Sequence, residues 1–261
     1  MNKLEFLEKR LKALNSFAIG FSGGVDSMFL AALAGKISGI KAVAVTIVSA
    51  FMSKTDMDHA QTMAGQLGLD HRMIYADLCD IPDIRKNSKD RCYFCKKKMF
   101  SLIKENLHGV DTVLHGANTD DLKEFRPGLN AAHEMGIIAP LVDAGLSKAE
   151  IRMCSKDMGL ETWDMPSQSC LATRIPYGMT ITCEKLARVE ESEAFLSALG
   201  FRNLRVRCYG DMARLELDAD GFERIWKNQN REKILAALKQ IGFLHIALDL
   251  EGYVSGKMNR H

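Results

Sequence analysis

The sequence lacks the features that would place the protein in a membrane or on a polyanion. Its 261 residues contain no run of about 18 apolar residues, the length that a helix needs to span a bilayer. The net charge is only +2, so the composition gives no general reason to bind nucleic acid or an anionic surface. The N-terminal stretch has leucines on one helical face and no signal-peptide pattern. We expect a cytoplasmic protein that binds neither a membrane nor nucleic acid.

The cysteine pattern is also not typical of a protein that disulfides stabilise. Seven cysteines are an odd number, and they occur in a chain without an export signal, which indicates the reducing cytosol. The thiols are therefore candidate metal ligands, reactive groups or small packing residues.

Short apolar runs alternate with helical patterns from residue 17 to about residue 140. This alternation indicates an α/β domain with a mostly parallel sheet that helices cover on both faces. The predicted strands are residues 17–21, 41–48, 71–76, 111–117 and 136–140, and the predicted helices are residues 28–37, 56–69 and 147–160.

The last third of the chain has a different pattern, in the order αββαβ. The predicted elements are a helix over 183–200, a hairpin over 203–218, a helix over 222–242 and a strand over 243–250. This order predicts a smaller α+β domain. We place the boundary after a Pro- and Ser-containing loop, which gives domains of residues 1–178 and 179–261.

A glycine-rich turn, SGGVDS, joins the first predicted strand to the first long helix. Its glycines let backbone N–H groups approach an anion, and the helix N-terminus adds partial positive charge. Serine hydroxyls can donate to phosphate, and Asp26 can hold Mg²⁺. The turn predicts a phosphate site formed by Ser22, Gly23, Gly24, Val25, Asp26 and Ser27. The alternative is an ordinary turn with a serine cap; a Walker A loop is excluded because no Gly-Lys-Ser/Thr follows.

SGGVDS in this position resembles the PP-loop of the ATP pyrophosphatases, the adenine nucleotide α-hydrolase-like superfamily. The resemblance implies that ATP, with Mg²⁺, adenylates a substrate and releases pyrophosphate.

Three cysteines are candidate metal ligands, namely Cys92 and Cys95 in RCYFCK and Cys170 in PSQSCLATR. A structural zinc site needs four ligands, and no fourth lies at finger-like spacing. A [4Fe–4S] cluster held by three cysteines would leave one iron open to an added ligand such as sulfide. Spacing alone leaves metal binding, a redox pair and inert packing all open. The other four cysteines lie in or beside apolar patterns and are predicted to be packing residues: Cys79, Cys154, Cys183 and Cys208.

Four segments in order resemble the LarE family: RCYFCK, GANTDDLKEFRPGLNAAHEMGIIAPLVDAGLSKAEIR, TWDMPSQSCLATRIPYG and RVRCYGDMARLEL. The resemblance implies a sulfur insertase of nickel-pincer nucleotide biosynthesis. Such an enzyme adenylates a carboxylate of pyridinium-3,5-biscarboxylic acid mononucleotide and converts it to a thiocarboxylate.

The resemblance implies two sulfur sources. In one subgroup a single cysteine, matched by Cys170, gives up its own sulfur. In the other this cysteine joins a CxxC pair to hold a [4Fe–4S] cluster that carries sulfide. The presence of Cys92 and Cys95 resembles the cluster type, with Cys170 and Asp26 as the catalytic residues.

Polar residues elsewhere are candidate binding groups. After the fourth predicted strand, Asn118, Asp120 and Asp121 could hold Mg²⁺ or ribose, and Arg126 could neutralise phosphate; the alternative is a polar loop with an Asx turn. A second set could clamp the substrate phosphate and carboxylate, the alternative being a solvated face with ion pairs. This set comprises Arg174, Glu190, Arg205, Arg207 and Arg214.

The preferred interpretation is an ATP-dependent sulfurtransferase that acts on a small-molecule nucleotide and forms a homo-oligomer. A PP-loop tRNA thiolase is a second interpretation, which the low net charge disfavours. A third is a non-catalytic nucleotide-binding module in which the CxxC pair holds zinc.

Overall fold

The computed structural model describes residues 2–110, 112–166, 168–254 and 257. Contacts divide the described residues into two compact units. The first lies within Met1–Asp77 and Asp90–Gln168, and the second within Leu78–Lys89 and Ser169–His261.

The first unit is built on a four-stranded parallel sheet in the order β3-β2-β1-β4. The strands are β1 Ser16–Gly20, β2 Lys41–Val48, β3 Asp70–Tyr75 and β4 Thr112–Leu114. Four predicted strands are therefore present, although β4 is shorter than expected and Asp111, the first residue of its prediction, lies outside the described residues. The predicted strand over 136–140 is wrong. Ile138 makes only an isolated bridge to Leu114, and a helix begins at Pro140, whose fixed φ suits a first helical turn.

Helices cover both faces of this sheet, as the alternating pattern predicts. They are α1 Lys3–Leu14, α2 Val25–Lys36, α3 Lys54–Gln66, α5 Arg91–Asn106, α6 Pro127–Glu134, α7 Pro140–Asp143 and α8 Lys148–Asp157. Because side chains alternate along a strand, Phe17 and Ile19 pack with Phe29 of α2, whereas Ala18 packs on the other face with Phe100 of α5. The fold class is thus α/β, as predicted.

The second unit contains a three-stranded sheet in the order β5-β6-β7. Its elements are α4 Pro82–Arg85, α9 Cys183–Ala198, β5 Leu204–Tyr209, β6 Met212–Leu217, α10 Ala219–Arg224, α11 Asn230–Gln240 and β7 His245–Leu248. The predicted hairpin is present, with Gly210 at φ 68° in its two-residue turn. The single helix predicted over 222–242 is instead two helices, because Asn228 and Gln229 adopt positive φ between them.

The contacts assign residues 78–89 and 169–178 to the second unit. Asn87 anchors the first of these segments, since its side-chain amide donates to the carbonyls of Ile175, Pro176 and Met179. The predicted division at residue 178 remains a prediction about domain organisation. Among the helices of the described ranges, none is long and apolar enough to cross a membrane.

Candidate active site

The SGGVDS turn follows β1 and leads into α2, the position where an open parallel sheet binds its ligand. Gly24 is the N-cap of α2, and no side chain caps this helix. The hydroxyls of Ser22 and Ser27 lie 3.3 Å apart, and Ser27 donates to the Gly24 carbonyl at 3.0 Å. The start of α2 is thus lined by hydroxyls and backbone N–H groups, the donors that suit a phosphate.

Two glycines allow this turn to approach its neighbours closely. Gly23 has φ 74°, and a Cβ there would lie 3.0 Å from Cα of Ala60 in α3. Gly116 follows β4, and a Cβ there would lie 3.1 Å from the backbone nitrogen of Ser27. A Cβ at either position would crowd a backbone atom of a neighbouring segment, so glycine at both positions is needed for this shape of the phosphate loop.

Asp26 lies at the centre of a polar network in the first unit. One of its carboxylate oxygens accepts from the Lys148 ammonium at 2.6 Å, and the other accepts from the Asn118 amide at 3.2 Å. Asp26 and Lys148 are about one quarter exposed, at 22% and 26% of their side chains. Both ends of the ion pair are therefore open to an incoming ligand.

Lys148 is held in place by the start of its own helix. It follows Ser147, the N-cap of α8, which forms a capping box with Glu150. The backbone N–H of Lys148 donates to Asp120 at 2.9 Å. The hydrogen bond from Lys123 is the main reason that the pKa of Asp120 lies below its usual range. Lys148 was not predicted as a site residue, because nothing in its sequence context distinguishes it and only the fold places it beside Asp26.

The loop after β4 contains an Asx turn, the structure that the sequence offered as the alternative to a binding role. Asn118 is buried, and its side-chain oxygen accepts from the Asp120 N–H at 2.9 Å. Asp121 accepts from the Asn118 N–H and pairs with Arg126 at 2.9 Å. Arg126 also pairs with Glu124 and is half-exposed. Asn118 thus contacts the phosphate-loop aspartate directly, whereas Asp121 and Arg126 shape the loop.

Cys92 and Cys95 lie in the first turns of α5, in the first unit. Residues three apart share one helical face, so both thiols are on the same side of α5. Both are partly exposed and neither is in a disulfide. Lys97, on the same helix, donates to the Tyr93 hydroxyl at 2.9 Å and pairs with Glu134 of α6, and these contacts raise the pKa of Lys97.

Cys170 lies in the second unit and is exposed. It is the N-cap of a 3₁₀ turn, Leu171–Arg174. The buried Arg174 organises this turn: its guanidinium donates to the carbonyls of Ser169 and Cys170 at 2.7 and 3.1 Å. The other side of the guanidinium makes a bidentate contact to Glu193 of α9 at 3.0 and 2.9 Å. Arg174 thus positions the Cys170 backbone and leaves its sulfur exposed.

The arginines of the hairpin do not form a solvated face. Arg207 is 4% exposed and Glu216 is fully buried, and the two pair at 2.7 Å. Arg214 also pairs with Glu216, at 2.9 Å. Arg207 further donates to the Thr173 carbonyl, in the turn that carries Cys170. The alternative of a solvated face is therefore wrong for Arg207, because the 3₁₀ turn packs on that side of the strands.

Arg205 differs from the other arginines of this cluster. Its guanidinium lies over the ring of Tyr253, and within the described ranges no carboxylate lies within ion-pair distance of it. Burial and the charge of Arg174 lower the pKa of Arg205. An anion would relieve this crowding of positive charge. Glu190, which was also predicted to contact the substrate, is partly buried on α9.

Three of the four cysteines predicted to be packing residues are at least partly buried. Cys79 and Cys208 are buried, and Cys154 packs partly buried against the core of the first unit. Burial raises the pKa of the thiols of Cys154 and Cys208. Cys183 was predicted wrongly, since it is exposed at the first residue of α9.

Comparisons with known proteins agree with this architecture. The NAD synthase family model matches residues 2–110, which include the phosphate loop. The pyridinium-3,5-bisthiocarboxylic acid mononucleotide synthase of Lactiplantibacillus plantarum is 32% identical over 252 residues, covering 95% of this chain and 91% of the relative. The chain belongs to the LarE family.

Two further relatives extend over the same length. An uncharacterized protein of Synechocystis sp. is 38% identical over 261 residues, covering 99% of this chain and 97% of the relative. An uncharacterized protein of Methanocaldococcus jannaschii is 31% identical over 261 residues, covering 96% and 99%. Membership of the LarE family confirms the predicted PP-loop fold and the predicted class of enzyme, a sulfurtransferase.

Proposed function

We propose that the protein uses ATP to adenylate a carboxylate of pyridinium-3,5-biscarboxylic acid mononucleotide and then replaces the adenylate with sulfur. The observation that carries this proposal is the Asp26–Lys148 pair at the uncapped start of α2. It places one cation and one carboxylate beside a turn whose donors suit phosphate. Family membership suggests the substrate, because the Lactiplantibacillus relative is a synthase of the corresponding bisthiocarboxylic acid mononucleotide.

The first step needs the triphosphate to be held and its charge to be offset. Ser22, Ser27 and the N-terminus of α2 are the donors for the phosphates. Mg²⁺, when bound, offsets phosphate charge and takes oxygen ligands, for which the Asp26 carboxylate is suited. Asp26 would hold this ion, and the partly exposed Lys148 ammonium would contact the phosphates. The substrate carboxylate then attacks the α-phosphorus, an acyl adenylate forms and pyrophosphate leaves.

The second step makes the thiocarboxylate. A sulfur nucleophile attacks the acyl carbonyl, the C–O bond to the adenylate breaks, and AMP leaves. AMP is a far better leaving group than the oxide of a free carboxylate, which is why the first step consumes ATP. We propose that Arg205 binds the anionic groups of the substrate. Arg174 and Arg207 then position the turn that carries Cys170. Glu190 and Arg214 remain candidate substrate contacts.

The donor set fits a [4Fe–4S] cluster. Cys92 and Cys95 present two partly exposed thiols on one face of α5, and Cys170 presents a third, exposed thiol. Three cysteine ligands are one fewer than such a cluster usually has, and the cluster supplies, when bound, an iron that is open to sulfide. We propose these three residues as its ligands. A sacrificial Cys170, without a cluster, is the alternative sulfur source.

The test is pyrophosphate release under anaerobic conditions, with ATP, Mg²⁺ and the dicarboxylate mononucleotide. We expect release from the wild type that depends on the dicarboxylate and is lost in Asp26→Asn, whereas Asp58→Asn, on the exposed side of α3, keeps the wild-type rate. Pyrophosphate release that does not depend on the dicarboxylate but increases with tRNA would support the tRNA thiolase instead. Bound zinc without pyrophosphate release would support the non-catalytic module. A homo-oligomer, which we also propose, is tested separately by light scattering.

A further inference from the structure

We propose that Cys79 and Cys183 form a modification site, a dithiol that a peroxide converts to a disulfide. Both residues belong to the second unit, and their Sγ atoms lie within 4.8 Å of each other. Neither is in a disulfide in this structure. The pair is separate from Cys170, the cysteine of this unit that we assign to sulfur transfer.

The two thiols differ in their access to solvent. Cys183 is exposed at the first residue of α9, directly after the N-cap Thr182. Cys79 is only 5% exposed. An exposed thiol can react with a dissolved oxidant to form a sulfenic acid. A buried neighbouring thiol is protected from the oxidant and reacts instead with that sulfenic acid. This is the arrangement of an attacking and a resolving cysteine.

The fold, rather than chain proximity, brings these sulfurs together. Cys79 lies in the segment Leu78–Lys89, and more than one hundred positions separate it from Cys183 in the sequence. The segment is fixed by the three carbonyl contacts of Asn87 and by the Ile181 N–H, which donates to the Arg85 carbonyl at 2.9 Å. Because both cysteines are attached to anchored backbone, the pair is a persistent feature of the second unit. The exposed side chain of Cys183 can rotate to close the remaining gap.

The chemistry is balanced by the peroxide alone. The Cys183 sulfur attacks the O–O bond of hydrogen peroxide, which gives a sulfenic acid and water. The Cys79 sulfur then attacks the oxidised sulfur, the S–O bond breaks, and a second water leaves. Two thiols lose two electrons and two protons in total, and these reduce one peroxide to two waters. A dithiol reductant reverses the change by thiol–disulfide exchange.

The test uses the full-length, iron-free protein with one equivalent of hydrogen peroxide, followed by alkylation, tryptic digestion and mass spectrometry. Trypsin places Cys79 in the peptide 73–85 and Cys183 in the peptide 175–185, each with a single cysteine. We expect these two peptides to be cross-linked at least about tenfold more in folded protein than in urea-unfolded protein, because the fold supplies the proximity. A dithiol reductant should remove the cross-link.

Variants separate the two roles. Cys183→Ser, an exposed change that the fold tolerates, should abolish the cross-link. Cys79→Ala should leave Cys183 as a sulfenic acid that dimedone labels. Cys208→Ser is the matched control, because Cys208 is buried in the same unit and bonded to the Gly210 carbonyl; it should leave the cross-link unchanged. The proposal is overturned if the 73–85/175–185 cross-link is no more abundant than cross-links to the Cys154 or Cys208 peptides, or if it forms equally in unfolded protein.

Discussion

Replacing Lys148 with methionine would remove one charge from the centre of the phosphate site and leave the length of the side chain almost unchanged. In the free protein the change deletes a 2.6 Å charge-assisted contact to Asp26. Because both side chains are partly exposed, the pair contributes at most about 1 kcal/mol to folding. Asp26 keeps its contact to Asn118, so we expect little loss of stability.

The catalytic cost should be much larger. If Lys148 contacts the phosphates when pyrophosphate leaves, its loss removes a preorganised cation from developing negative charge. Losses of this type reduce the rate by about 10²–10³-fold, or roughly 3–4 kcal/mol. The assay is pyrophosphate release at saturating dicarboxylate, with thermal unfolding of the same samples. Lys148→Arg, which keeps the charge, should recover part of the rate.

Lys123→Met is the matched control, since Lys123 pairs with Asp120 in the same loop but is mostly exposed. It should change the rate by less than about threefold, as expected for a surface charge. A Lys148→Met variant that releases pyrophosphate within about threefold of the wild-type rate, or whose rate falls only in proportion to its lost stability, would refute a role of Lys148 in phosphate binding.

Three further predictions concern stability and the shape of the phosphate loop. Arg174→Ala should lower the free energy of unfolding by about 3 kcal/mol, because it leaves the mostly buried carboxylate of Glu193, 15% exposed, without its partner. Urea denaturation would measure the loss against the exposed Arg202→Ala, and a loss below about 1 kcal/mol would contradict the role of this pair. Gly23→Ala should abolish pyrophosphate release with the fold retained by circular dichroism, since a Cβ would meet the Ala60 backbone. Burial lowers the pKa of His115 from 6.5 to about 4, so the unfolded chain binds more protons than the folded protein between these pH values. The free energy of unfolding is therefore highest above pH 6.5 and falls by up to about 3 kcal/mol as the pH falls towards 4. His115→Gln should flatten this pH dependence in urea titrations, and an unchanged slope would exclude His115 as its source.

The α/β fold could be predicted because period and context agree. Strands β1 and β2 are almost wholly apolar, as strands covered on both faces must be, and SGGVDS lies where a strand meets a helix. Residues 136–140 show the limit of that argument. Their apolar run satisfies a strand pattern, yet Pro140 starts a helix and only Ile138 makes a bridge. A short apolar run next to proline fits both structures.

The site was only partly predictable for a related reason. A loop residue such as Asn118 can be predicted as a site residue because it follows a strand. Lys148, in contrast, begins a helix with an ordinary capping box and contacts Asp26 only through the tertiary fold. The burial of Glu216 is likewise invisible in an alternating strand, because the pattern does not show that a turn covers its second face. Cys183 follows the same rule in reverse: its apolar context suggested packing, whereas helix geometry exposes it.

The most direct test of the account is a single turnover of anaerobically reconstituted protein, loaded with isotopically labelled sulfide, in the presence of ATP, Mg²⁺ and the dicarboxylate mononucleotide. Pyrophosphate, AMP and thiocarboxylate would be quantified together, and the mass of the Cys170 peptide would be measured. We predict equal amounts of the three products, with the label in the thiocarboxylate and Cys170 unchanged. In Cys92→Ala, Cys95→Ala and Cys170→Ala we predict that pyrophosphate is still released and that the labelled thiocarboxylate is lost. Unlabelled product with dehydroalanine at position 170 would contradict the cluster as the sulfur source, and the absence of pyrophosphate would contradict the proposed reaction itself.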